Sequence, residues 1–200
     1  TNVTERTFAS WCKDIRNIVT IEDLDRFVKD TLIPTVNDWK LDNKSNFLRL
    51  GLNSMQQYRI KFILGKITAY VDALRLGKTT VDDLTSYTHI MPQTCADKEL
   101  YGMNDEDFSV YINRLGNLTL LENSINKSIH NDVYANKSKA YKQSKFYLTS
   151  SLSELVNQGH DTAINRTNSL LFAWSDWNKR SIEERQEMLY RLSEMIWEMS

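Results

Sequence analysis

With only two prolines and six glycines in 200 residues, the chain lacks the turn-formers that an all-β sandwich or barrel needs. Its apolar residues recur instead at spacings of three and four, the period of a helix. Phe8, Trp11, Ile15 and Ile18, followed by Leu24, Phe27, Val28 and Leu32, predict helices over about 8–33. Thr20 is placed to cap the second of these, and Pro34 to end it. Residues 51–76 predict the clearest helix, with Met55, Tyr58, Phe62, Ile63, Ile67, Tyr70, Val71 and Leu74 on one broad face. Gly77 supplies its stop. Further helices are expected at about 162–174 and 181–198. In the last, Ile182, Leu189, Leu192, Ile196 and Trp197 form the apolar stripe, and Ser181 with Glu184 forms a capping box. Trp197 therefore reads as core, and Trp174 and Trp177, three apart on one helical face, read as packing.

From Thr79 the texture changes. A short strand is expected around Tyr87–Pro92, a loop over 93–110, and a β-prone run over Arg114–Leu121 with Gly116 near its start. An Asn/Ser loop over 123–131 then leads to a helix over 132–145, capped by Asn131 or Asp132. The expected architecture is mainly α, with a small strand–loop–strand–helix core inserted between helices. Residues 1–50 read as a helical scaffold segment and 51–200 as the domain that holds the chemistry.

Composition narrows the function classes. Hydrophobic residues at 41% and charged ones at 26% suit a packed core, and the net charge of -1 means that any nucleic-acid contact must be local. Such a patch exists: Lys127, Lys137, Lys139, Lys142 and Lys145 stand against Asp132 alone, with Tyr134 and Tyr141 interleaved. Cys12 and Cys95 have no metal-ligand spacing and read as reduced thiols of a cytoplasmic protein. No apolar run approaches the ~20 residues that span a bilayer, and no phosphate-binding loop of the Walker type is present. Opening on Thr rather than Met, the sequence reads as a piece of a longer protein.

His89 is the natural candidate for a base near neutral pH. Phosphodiester hydrolysis needs a base for water, a metal to take up phosphate charge, and cations for the backbone. Carboxamides orient imidazoles and complete metal shells, and Asn117, Asn126 and Asn131 follow His89.

The runs YTHIMPQT (87–94), RLGNLTLLENSIN (114–126) and NDVYANKSKAYKQSKF (131–146) resemble the nuclease domain of GmrSD-type modification-dependent restriction enzymes. YRIKFILGKI (58–67) and IEERQEMLYRLSEMIW (182–197) resemble its flanking helices. The resemblance implies an HNH, or His-Me finger, endonuclease: a ββα-metal core around one divalent ion, Mg2+ or Mn2+. It implies His89 as general base, Asn117 as its orienting partner, and Asn126 with Thr88 on the metal. Asn131 is implied as support, and Lys137 as a phosphate contact; the neighbouring cations Lys127, Lys139, Lys142 and Arg114 join it as candidates for binding DNA. DNA, modified or from phage, is the expected partner, as is an N-terminal NTP-using sensor domain elsewhere in a bacterial, cytoplasmic antiviral defence protein, with no membrane role. His130 reads as an exposed loop residue.

Thr88 departs from the family, which carries Asp or Glu immediately before the base. A hydroxyl is a poorer ligand for a hard cation than a carboxylate. Either Asp82 or Asp83 substitutes, or the metal is held more weakly, or the domain is a degenerate DNA-binding or assembly module. A helical protein-interaction domain is the remaining reading.

Overall fold

The computed structural model describes residues 3–39, 43–78, 81, 85–95, 98–129 and 131–197. Contacts divide the chain into two units, Thr1–Ser45 and Asn46–Ser200. The first contains α1 (Val3–Arg16), α2 (Ile21–Phe27) and α3 (Ile33–Trp39). Thr20 caps α2 in a full capping box with Asp23. Pro34 does not end a helix as expected. The chain passes through a π-helical turn at Val28–Leu32 into α3, where Pro34 occupies the first turn and needs no amide donor. No described side chain of this unit is fully buried.

After α4 (Asn43–Phe47), the second unit is built on α5 (Gln57–Leu76) and α11 (Lys179–Trp197). The expected helix over 51–76 starts only at Gln57, because Gly51 is drawn into a backbone bridge with Arg114. The stripe α5 buries is Ile60, Leu64, Ile67 and Val71, while Tyr58 and Phe62 face solvent. These four apolar positions follow a 4-3-4 spacing, joined by buried Thr68 and Asp72, while Ile63 and Tyr70 pack against the core from its edge. Gly77 closes α5 in the left-handed region at φ 69°, where a side chain would be strained.

Between these helices lie β1 (Thr85–His89), α6 (Asp105–Tyr111), β2 (Leu118–Glu122), α7 (Asn123–Ile129), α8 (Tyr134–Tyr141), α9 (Tyr147–Ser150) and α10 (Ala163–Asn168). The strands pair antiparallel, Thr85 opposite Glu122 through His89 opposite Leu118. The unit is thus mostly helical with one small two-stranded sheet. Two expected loops contain helix: α6, capped by Asn104, begins within 93–110, and α7 lies inside 123–131. The helix expected to 174 stops at Asn168, and Trp174 and Trp177 lie on the irregular segment beyond it. α11 starts at Lys179, with the Asn178 side chain accepting the Ser181 amide at 3.2 Å, so Asn178 rather than Ser181 supplies the cap. Trp197, at the end of α11, is 42% exposed rather than core. No described helix is long and apolar enough to cross a membrane.

The turn before β2 fixes where that strand begins. Leu115–Asn117 form a 3-10 turn pressed against α11. The Gly116 amide donates to Gln186, and the buried Arg185 guanidinium donates to the carbonyls of Gly116 (2.8 Å) and Leu118 (2.7 Å). A Cβ on Gly116 would sit 2.3 Å from the Ile182 carbonyl oxygen. Gly116→Ala is therefore expected to destabilise the unit by about 3 kcal/mol, read as a drop in the urea midpoint; an unchanged midpoint would mean that α11 yields freely.

Candidate active site

Sequence and structure converge on the end of β1. His89 is the last residue of the strand and is 8% exposed. Its backbone carbonyl accepts a hydrogen bond from Lys137 Nζ at 2.8 Å. The strand then turns away under the control of Asn117. The Asn117 backbone oxygen accepts from the Ile90 amide (2.9 Å), and its side-chain oxygen accepts from Met91 N and Trp177 Nε1 (2.9 Å each). Its amide nitrogen donates to the Ile112 carbonyl at 2.9 Å.

Every polar group of the Asn117 side chain is thus engaged away from the imidazole. Asn117 fixes the backbone that follows His89, not the ring. The ring's hydrogen bond goes instead to the side chain of Asn113. Asn113 Nδ2 donates to Asn53 Oδ1 at 2.9 Å. The His89 Nε2 atom is buried with no partner, leaving Nδ1 as the nitrogen that faces Asn113. Burial pulls the imidazole pKa down to about 4, against the opposing pull of Asn113 and helped by the charge of Lys137. The ring is therefore in its neutral form at pH 7.

A cleft of about 500 Å³ opens beside it, lined by Tyr87, Thr88, His89, Gln93, Asn126, Lys127, Asn131 and Lys137. Asn126, on α7, donates to Ser86 Oγ at 3.1 Å and so tethers that helix to β1. Asn131 holds the far lip: its oxygen accepts the Gln93 amide at 2.6 Å, and its nitrogen donates to the Thr94 carbonyl at 3.0 Å. Six sites named from sequence therefore share one cleft: Thr88, His89, Asn126, Lys127, Asn131 and Lys137.

The expected basic face divides. On α8 the buried side is Tyr134, Lys137 and Tyr141, so Lys137 belongs to the cleft floor rather than an exposed DNA-facing surface. Burial lowers its pKa to about 8. Lys127 and Lys139 are exposed. Lys142 is exposed but pairs with Glu154. Arg114 lies outside the cleft, its guanidinium 4.1 Å from the Tyr111 ring centre and bonded to the Leu48 carbonyl. Trp177 is buried against Tyr134 and Trp174. Asn113, Gln93 and Trp177 had no signal of their own in the sequence.

The described lining of the cleft does not fit a resident divalent ion. It offers hydroxyl and carboxamide oxygens, two lysines and no carboxylate, whereas hard cations are held by carboxylates. Among the described residues no three His, Cys, Asp or Glu side chains converge. Asp82, Asp83 and His130 lie outside the described residues.

A family model described as GmrSD restriction endonucleases, C-terminal domain, matches residues 37–192, well over half of the chain. No curated protein and no solved structure matches it.

Proposed function

We propose a chemistry for a chain that belongs to the C-terminal domain family of the GmrSD restriction endonucleases: hydrolysis of DNA phosphodiesters in the cleft between β1 and α8, with His89 as the general base. The observation that carries this reading is the state of the imidazole. It is neutral, its side-chain partner is Asn113, its Nε2 is buried without a protein partner, and the residue lines a cleft that holds two lysines.

In the proposed step, the His89 imidazole takes a proton from a water molecule as the water oxygen attacks phosphorus. One P–O ester bond breaks, the leaving oxygen acquires a proton from solvent, and the products are a phosphate monoester and an alcohol. Lys127 and Lys137 offset the charge of the phosphate. Asn113 is a positioning residue that sets the tautomer of His89, Asn126 and Asn131 shape the cleft, and Asn117 fixes the turn that follows the base. The strand pair with its following helices is read as a His-Me finger core. The substrate is DNA, and the wider setting is a bacterial cytoplasmic restriction protein with a separate sensor domain. No step is assigned to a divalent ion, because the described lining does not fit one.

Asn113→Ala is expected to lower the turnover of plasmid cleavage by about tenfold to a hundredfold with little change in KM, since only the transition state depends on the tautomer. The Nδ1–H tautomer of His89, followed by 15N NMR, should lose population in parallel. Equal turnover with an unchanged tautomer would remove Asn113 from the mechanism. A second reading, a DNA-binding module without chemistry, is favoured by the carboxylate-free lining; it requires duplex binding with no cleavage under any metal.

A further inference from the structure

Lys137 carries a buried charge with little compensation among the described residues. Its side chain is 1% exposed, yet its only hydrogen bond among the described residues is to the neutral carbonyl of His89. An ammonium has three donors, and an unpaired buried charge is costly unless something compensates it. The nearest counter-charge, Asp132, is exposed and already accepts from the Val133 amide and Asn136 Nδ2. Among the described residues nothing else compensates the charge, and Lys137 lines the cleft.

We propose that Lys137 is the resident cation of this cleft, that it seats a DNA phosphate without metal, and that a divalent ion joins only after that phosphate is bound. The proposal rests on reading the cleft as a phosphodiester site. A phosphodiester supplies the single negative charge that the buried ammonium lacks, in a setting where charge-assisted bonds are strong. A divalent ion entering the cleft meets, in its described lining, two lysines and only neutral oxygens. Once a phosphate is seated, its oxygens supply the hard anionic ligands that the protein withholds. Lys137 also stands beside the base through the His89 carbonyl, and its charge disfavours a second positive charge on the imidazole.

The test uses the full chain and two probes. Duplex DNA in EDTA is titrated by fluorescence anisotropy over a range of salt concentrations, with wild type, Lys137→Gln and Lys137→Arg. Mn2+ is followed by electron paramagnetic resonance with protein alone, duplex alone and both together. Wild type should bind the duplex in EDTA. Lys137→Gln should bind about tenfold more weakly, with the log–log salt slope reduced by about one, and Lys137→Arg should keep the slope. A purely structural lysine would not move that slope, because glutamine retains a donor for the His89 carbonyl. Protein alone should leave the aqueous Mn2+ signal intact, and the mixture should quench it beyond the duplex control. Mn2+ binding by free wild-type protein overturns the proposal without relying on any variant's folding. So does a wild-type slope in Lys137→Gln, or a wild type that needs metal to bind DNA. Plasmid left uncut, with the Lys137-dependent slope intact, sinks the nuclease reading and leaves this one standing.

Discussion

His89→Ala is expected to slow DNA cleavage by about 10²–10⁴-fold, the range that a positioned general base contributes, while leaving duplex affinity unchanged. The separation follows from the geometry. The cations that line the cleft, Lys127 and Lys137, belong to other elements, and Lys137 grips the backbone carbonyl of residue 89, which alanine retains. The same substitution should alter how stability depends on pH. In the folded chain the imidazole pKa is depressed from 6.5 to about 4, so the unfolded state takes up the proton first. Wild-type stability is fully present above about pH 6.5 and falls as pH drops toward 4, by at most roughly 3 kcal/mol. His89→Ala should lack that component. Parallel stability–pH curves for the two proteins would show that the ring is not held neutral by the fold.

Asn117→Ala should be the most damaging of the substitutions to folding. Asn117 is fully buried and makes three side-chain hydrogen bonds, to Met91 N, Trp177 Nε1 and the Ile112 carbonyl. Truncation leaves two N–H donors and one acceptor without partners in an apolar setting, each costing about 1–3 kcal/mol. The expected loss is about 4 kcal/mol or more, a large share of the 5–15 kcal/mol typical of a whole domain. It also frees the turn at Ile90–Met91, so activity should fall even in the folded fraction. Equilibrium denaturation of the two proteins checks this. A difference below about 1 kcal/mol would mean that water replaces the amide, and that Asn117 is not the brace of this turn.

The sequence displays the helical fold because long apolar runs and caps act locally. Thr20 and Gly77 cap their helices through their own chemistry, and the strand that ends at His89 pairs with the run after Gly116. What stays hidden is which way short polar segments turn. The RLGN segment folds as a 3-10 turn against α11, and that turn sends Asn117 inward to Met91 and Trp177 while Asn113 reaches the imidazole. Two asparagines four residues apart are indistinguishable until Arg185 and Gln186 fix the turn from the other end of the chain. Lys137 shows a related limit. On an eight-residue helix with two lysines, composition describes a basic face, but Tyr134 and Tyr141 at i−3 and i+4 carry Lys137 into the interior with them. Trp197 shows the converse, an aromatic residue in register with a buried stripe but beyond the reach of its partners.

The most direct test of the central claim is conversion of supercoiled plasmid by the wild-type chain in Mg2+ or Mn2+, run beside His89→Ala protein shown by circular dichroism to be folded. The account predicts nicked or linear product with wild type and essentially none with the variant. Equal conversion by both would mean that His89 is not the base, and intact plasmid with wild type would mean that this cleft binds DNA without cutting it.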